Sequence, residues 1–266
     1  MSYIFNFKDA LSYDEWFKKA NNKYAFELET KLFLNMLCPA PNQRLLDIGC
    51  GTGNSLKYLL DHNLQLTGID PSPYMLDIAR KKLKNKVDLY RGFAEDLPFD
   101  DNSFEYATLM TSLEFTQMPA KAIEEACRVA KDKVFIGVLN KYAPMNFMRK
   151  IKSFFISNTF AKARLFSIWE LKQIQFAILG NVPISWRTTY QFPFVRGKIG
   201  CYIENLFLIQ KSPFGTMIGM SITPVPKFKT KPLSLRIKTK PRYKPATGLA
   251  INVDTIIKNS NITKDK

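Results

Sequence analysis

A chain of 266 residues with a 46% hydrophobic fraction is long enough for one large domain or two small ones with a real core. No stretch stays apolar for the roughly 20 residues a membrane span needs, the opening MSYIFNFKDALSYDEW lacks the regions of a secretion signal, and Cys38, Cys50, Cys127 and Cys201 have no metal-ligand spacing, so reduced thiols in a cytoplasmic protein are expected. The formal charge of +16 is lopsided, with 17 Lys/Arg against 19 Asp/Glu in residues 1–136 but 22 against 4 in residues 137–266; either the second half meets an anionic partner or the composition is simply lysine-biased.

From Tyr13 to Leu37, apolar residues recur at helical spacing, with Tyr24, Leu28, Leu32 and Met36 on one face, and Pro39 and Pro41 end the helix. RLLDIG then reads as a buried strand and GNSLKYLLDH as a helix. LQLTGID is a second strand, and SPYMLDIARKKLK a second helix with Ser72 as N-cap and Pro73 at its first position. VDLYRG and FEYATLM are further strands, linked through the AEDLPF turn, which stands in for a short helix. PAKAIEEACRVA is the next helix and KVFIGVLN the fifth strand. Regular alternation from 44 to 140 implies a parallel sheet with helices on both faces and all strand C-termini on one edge.

After Asn140 the rhythm breaks. APMNFMRKIKSFFISNTFAKARLF is basic and aromatic, and SIWELKQIQFAILG carries a capping box at Ser167 and Glu170 and stops at Gly180. VPISWRTTYQF and GTMIGMSIT read as two antiparallel strands joined by a loop containing Pro213 and Gly215. Residues 226–266, rich in Pro and Lys and poor in core formers, read as a disordered tail. The expected fold class is an α/β three-layer Rossmann-like sandwich, a mostly parallel seven-stranded sheet with one antiparallel edge strand. It occupies residues 1–225, with 1–43 as an N-terminal helical cap and 141–180 as an acceptor-side lid.

The segment LLDIGCGTGN places Gly49, Gly51 and Gly53 at a strand-to-helix corner, on the edge where open α/β sheets bind ligands. Missing Cβ atoms there let a ligand lie against the backbone. Asp70 ends the next strand and can take both hydroxyls of a ribose. Asp47 would repel the pyrophosphate of a dinucleotide but suits an ammonium or sulfonium, so the charge logic points to S-adenosylmethionine rather than a nicotinamide cofactor.

Together LLDIGCGTG, TGIDPSPYML, RGFAEDLPFDDNSFEYATLMTSLEF and AIEEACRVAKDKVFIGVLN resemble the successive motifs of class I S-adenosylmethionine-dependent methyltransferases, in particular the methyltransferase type 11 group that includes quinone-biosynthesis enzymes. The resemblance spans residues 10–225. It implies that Asp47 faces the methionine amino group and that Gly49, Cys50, Gly51 and Asn54 form the cofactor bend. Asp70 would bind the ribose hydroxyls, with Pro71 and Met75 lining the adenine. Phe93, Ala94 and Glu95 would hold the other adenine face, and Met110 and Thr111 would flank the methyl group. Phe93 stands where family members usually carry an acid, which removes one hydrogen-bond acceptor. Glu105 replaces a common Asp.

No residue announces itself as a general base. His62 lies on the edge opposite the ligand and reads as a surface residue, while Glu114 either reaches the active face or serves as a helix-start acid. Tyr13, Trp16 and Tyr24 either cap the pocket or belong to the core. In 141–180, where the resemblance implies the acceptor-side lid, Phe147, Phe154, Phe155, Phe160, Phe166 and Trp169 mix with Arg149, Lys150, Lys152, Lys162 and Arg164, which suits a lipophilic or anionic acceptor, an anionic membrane surface, or an ordinary lid helix with solvated lysines. The expected activity is methyl transfer to a small lipophilic or anionic molecule, without a metal. The alternatives are an RNA- or protein-directed methyltransferase that uses 141–180 and the basic tail to bind nucleic acid, or a binding module without catalysis.

Overall fold

Runs of apolar residues whose neighbours point to opposite faces make strands buried on both sides. The computed structural model describes residues 3–155, 162–192, 197–204 and 206–225, and seven strands lie among them: β1 (Arg44–Ile48), β2 (Gln65–Asp70), β3 (Asp88–Arg91), β4 (Phe104–Met110), β5 (Ala130–Leu139), β6 (Ile184–Thr189) and β7 (Met217–Ile222). They form one sheet in the order β3-β2-β1-β4-β5-β7-β6. The first five are parallel, and β7 runs against both its neighbours. The single reversed strand expected from the sequence is therefore present. It sits one place in from the edge, and β6, the edge strand, runs in the direction of β5.

The helices are α1 (Phe7–Lys18), α2 (Ala20–Leu37), α3 (Asn54–Leu59), α4 (Pro73–Leu83), α5 (Pro119–Val129), α6 (Pro144–Phe155), α7 (Ile168–Leu179), α8 (Gly197–Glu204) and α9 (Phe207–Gln210). One face of the sheet packs Leu46, Ile48, Leu109 and Ile136 against α5 and α7. The other packs Leu45, Tyr106 and Phe135 against α2, α3 and α4. Adjacent residues such as Leu45 and Leu46 thus feed opposite layers, and the three-layer arrangement follows from that alternation.

Three expectations need correction. The helix read from Tyr13 to Leu37 is two helices, because Lys19 is extended (φ −72°, ψ 130°), closing α1 and opening α2. The link between β3 and β4 contains no helix; Arg128 of α5 holds it instead, donating to the carbonyls of Leu97 (2.9 Å) and Phe99 (2.7 Å) and to Asp101 (3.0 Å). The connection from β6 to β7 holds α8 and α9 as well as the expected Pro213–Gly215 turn. At α7 the Ser167 side chain accepts from the Glu170 amide as expected. The expected tail at 226–266 lies outside the described residues. Cys38 and Cys50 are free thiols.

Candidate cofactor site

The corner after β1 turns through three left-handed glycines, Gly49 (φ +75°), Gly51 (φ +52°) and Gly53 (φ +74°). Each is a glycine for a different reason. A Cβ on Gly49 would lie 2.3 Å from Ser112 Cβ, and one on Gly53 would lie 3.0 Å from Leu83 Cδ1 and 3.2 Å from Ala79 Cβ. These two positions are bare because protein packs there. A Cβ on Gly51 would meet only Tyr13 Cε1 at 3.7 Å and Met75 Sδ at 4.0 Å. Of the three, only Gly51 has room for a Cβ, in ordinary contact with two residues that line the cavity.

Beside Gly51 lies a cavity with about 620 Å³ of empty space including its mouth, lined by Gly49, Gly51, Asp70, Pro71, Met75, Phe93, Ala94, Glu95, Thr111 and Ser112. Asp70 stands at the end of β2, where its Oδ2 accepts from the Gly51 amide (2.9 Å) and its Oδ1 from the Ser72 amide (2.8 Å). Burial pushes its pKa up to about 6, against the pull of those two amides. Each oxygen keeps a second lone pair for a ligand hydroxyl. Asp47 is 1% exposed. Its Oδ1 accepts from Thr108 (2.8 Å), and its Oδ2 has no hydrogen-bond partner in the chain. Burial raises its pKa to about 7. A buried carboxylate oxygen left without a donor is costly unless something cationic or hydrogen-bonding meets it.

The remaining walls come from the N-terminal segment, of which the sequence offered only Tyr13 among the lining residues, and from the turn after β4. Tyr3, Phe5, Tyr13, Phe115 and Thr116 complete the lining. Phe5 packs edge-on against Phe115 (4.9 Å between centroids) and against Tyr13 (6.1 Å). The segment is pinned at two points: Ser72 Oγ, the N-cap of α4, donates to the Phe5 carbonyl (2.7 Å), and the Tyr3 amide donates to the Phe115 carbonyl (3.0 Å). Of the three aromatics weighed for a capping role, Tyr13 lines the cavity; Tyr24 packs on Tyr190, and Trp16 on Phe17.

Nine of the thirteen residues assigned to the cofactor from sequence line the cavity. The other four are placed otherwise. Asp47 lies beneath it, bonded to Thr108. The Cys50 side chain sits in the core with Leu56, where burial pushes its thiol well up and keeps it protonated. Asn54 accepts from Lys82 (2.6 Å), which also reaches Asp14 of α1 (2.6 Å), so it ties the corner to the N-terminal helix. Met110 turns towards Gly137 and the core. Glu95 lines the cavity but also accepts from the amides of Gln117 (3.0 Å) and Met118 (3.4 Å) at the start of α5. Phe93 is 43% exposed at the rim.

At the end of β4, Thr111 holds a left-handed conformation (φ +48°) that a β-branched residue rarely adopts, fixed by its amide donating to the Gly137 carbonyl (2.8 Å). Its side chain meets the Tyr13 hydroxyl, and burial pushes the Tyr13 phenol up. Next to it, Glu114 is 2% exposed. Its Oε1 accepts from the Leu139 amide (2.7 Å), while Oε2 has no partner in the chain, and burial raises its pKa to about 8. Half-buried Glu29 of α2 is raised to about 7 by burial, with Arg149 pulling the other way. Glu29 and Glu114 are within electrostatic reach of each other and of Tyr13. Of the two readings of Glu114, active face or helix-start acid, the structure shows a buried carboxyl that is not part of the cavity lining. His62 stacks on Tyr58 beyond α3 as expected. Among the described residues no group of three or more His, Cys, Asp or Glu could hold a metal ion, and no helix is long and apolar enough to cross a membrane.

Residues 46–136 match the family model described as a methyltransferase domain. An uncharacterized protein of Methanocaldococcus jannaschii is 38% identical over 136 residues, covering 50% of this chain and 60% of that protein. The demethylmenaquinone methyltransferase of Renibacterium salmoninarum is 35% identical over 101 residues, covering 38% and 42%. The chain thus spans about half the length of these curated relatives. A solved structure from Thermotoga maritima, described as an S-adenosylmethionine-dependent methyltransferase and possible histamine N-methyltransferase, superposes with a TM-score of 0.63 at 24% identity, covering 82% of this chain and 97% of that one.

Proposed function

We propose that the chain is a class I S-adenosylmethionine-dependent methyltransferase, in keeping with the methyltransferase-domain match over residues 46–136 and the shared fold, and that it transfers a methyl group to a small, lipophilic acceptor that arrives at the site uncharged. The observation that carries this reading is the bare backbone at Gly51, hydrogen-bonded to the cavity-lining carboxyl of Asp70, with buried Asp47 and its orphaned oxygen within electrostatic reach of Asp70. Asp70 would hold the ribose hydroxyls and Asp47 the ammonium. Met75, Pro71, Ala94 and Phe93 would enclose the adenine. When bound, the cofactor supplies a methyl group on a sulfonium, which is activated for displacement.

The rest is the work of this chain's own groups. Tyr3, Phe5, Tyr13 and Phe115 exclude water from one side of the hollow, which strengthens every charge interaction inside it. Glu114 and Glu29 do not line the cavity but lie within electrostatic reach of Tyr13, which does; with pKa values near neutrality, their ionised fraction would take up a proton released by the acceptor. Together with Asp47 they make the region acidic, which favours a neutral acceptor over an anionic one. Of the two acceptor classes the sequence left open, the lipophilic one is therefore preferred.

The test is incubation with methyl-labelled cofactor and a fractionated cell extract. Label should enter an organic-extractable small-molecule fraction, and Glu114→Gln should slow the transfer while leaving cofactor affinity intact. Label appearing in RNA or protein would overturn the acceptor class. Cofactor binding with no acceptor in any fraction would favour a module without catalysis.

A further inference from the structure

The second half of the chain leaves a band of aromatic rings open to solvent, and lysines are set among them. Trp169 (56% exposed) and Phe176 (65%) share one face of α7 with Lys172, at helical spacing. The opposite face, through Ile168 and Leu171, is in the core. Measured contacts carry the band onward. The Trp169 ring stands edge-on to Tyr142 at 5.8 Å. Lys172 Nζ lies 5.6 Å from the Trp186 ring of β6, and Lys211 Nζ lies 5.2 Å from the same ring and 5.6 Å from Phe207 of α9. Phe207 is 60% exposed, and Leu208 beside it is more open still. The band thus links α7, the edge strand and α9, and none of these residues lines the cofactor cavity.

Charge decides what it fits. Residues 141–225 hold eleven Lys/Arg and only two Asp/Glu, Glu170 and Glu204. Both acids are committed: Glu170 pairs with Arg164, and Glu204 is buried, accepting from the amides of Gln191 (2.7 Å) and Phe192 (2.8 Å). A second copy docked face to face would oppose cations with cations. Exposed Leu208, Phe176 and Met148 suit acyl chains better than the stacked bases of a nucleic acid. Aromatic residues with apolar neighbours and a lysine fringe are the composition of an interfacial anchor.

We propose that this band seats the protein on a bilayer surface bearing anionic headgroups, with Trp169, Phe176 and Phe207 at the acyl boundary and Lys172 and Lys211 among the phosphates. The inference is independent of the transferase reading. It accounts for an uncharged lipophilic acceptor, because such a molecule would be drawn from the same bilayer.

The test uses the full chain and vesicles of phosphatidylcholine, alone or containing phosphatidylglycerol. Sedimentation should recover the protein with the anionic vesicles only, and less of it as salt rises. In a Trp16→Phe background, brominated lipid should quench the fluorescence of the remaining tryptophans. The double variant Trp169→Ser/Phe176→Ser should partition at least about tenfold less, and so should Lys172→Glu/Lys211→Glu. Cofactor binding in each variant, measured in parallel, shows that the fold is intact and separates this proposal from the catalytic one. Variants that bind vesicles as the parent does would place the attraction outside the band and overturn the proposal. Absence of quenching, binding to RNA in place of vesicles, or a dimer that dissociates in the double variant would overturn it too.

Discussion

Asp47 offers the sharpest handle on the site. Its carboxyl is buried with one oxygen unpaired, and its pKa is raised to about 7. If the ionised form holds the ligand's ammonium, affinity must follow the ionised fraction. Raising the pH from about 5.5 to about 7.5 carries Asp47 from a few per cent ionised to mostly ionised, so the apparent Kd should fall by about an order of magnitude. The ligand's own amino group stays protonated through most of that window. Asp70, with a pKa of about 6, steepens the lower half of the curve. Asp47→Asn should remove most of the slope and hold the Kd near its weak, low-pH value. Calorimetry in two buffers of different ionisation enthalpy should detect proton release by the wild-type chain near neutral pH, and little by the variant. A Kd that is flat with pH, or a variant that keeps the full slope, would refute this reasoning.

Other consequences follow from the same side chains. Asp47, Asp70, Glu29 and Glu114 all have native pKa values above their unfolded ones, so the native state binds more protons, and stability must decline as pH rises from about 4 to about 8; urea unfolding of the ligand-free chain at several pH values checks the sign. Gly49→Ala drives a Cβ to within 2.3 Å of Ser112 Cβ and should cost about 2–4 kcal/mol of stability, as overpacking and a strained φ combine. Gly51→Ala meets no close atom and should cost only about 1 kcal/mol, yet weaken cofactor binding at least about tenfold, which unfolding and titration on the same samples would separate. Lys82→Met removes the tie from α1 to the corner and should raise the cofactor's dissociation rate more than its association rate, as stopped-flow fluorescence would show.

Much of the architecture was legible because it is written in local patterns. Val134–Val138 is an unbroken run without a polar side chain, Leu45–Ile48 is interrupted only by Asp47, and Ser72-Pro73 marks the start of α4 by its own chemistry. The break at Lys19 carried no such mark, since neither Gly nor Pro stands there and the change is in one backbone torsion. The bend at Gly49, Gly51 and Gly53 was readable, but which glycine is bare was not. That depends on Ser112 and Leu83, which lie 63 and 30 residues away in the chain and arrive only through tertiary packing. Tyr3 and Phe5 look like any exposed aromatics near a terminus until Ser72 and Phe115 pin them over the cavity. Glu114 reads equally as a helix-start acid or an active-face acid because its burial comes from β5 and α2, not from its neighbours in sequence. The band on α7, β6 and α9 was half visible. Trp169 stood out, but Phe166, counted with it from sequence, is fully buried, and Trp186, Lys211 and Phe207 join only once the chain is folded.

The measurement closest to the heart of this account is a calorimetric titration of the full chain with S-adenosylmethionine, run beside Asp70→Asn. One site of micromolar affinity is predicted for the parent. The variant, whose far-ultraviolet circular dichroism should be unchanged, is predicted to bind at least about tenfold more weakly, because its amide offers one acceptor oxygen where the ribose and the Gly51 amide need two. No heat of binding from the parent, or equal affinity in the two proteins, would contradict the assignment of this hollow to the cofactor.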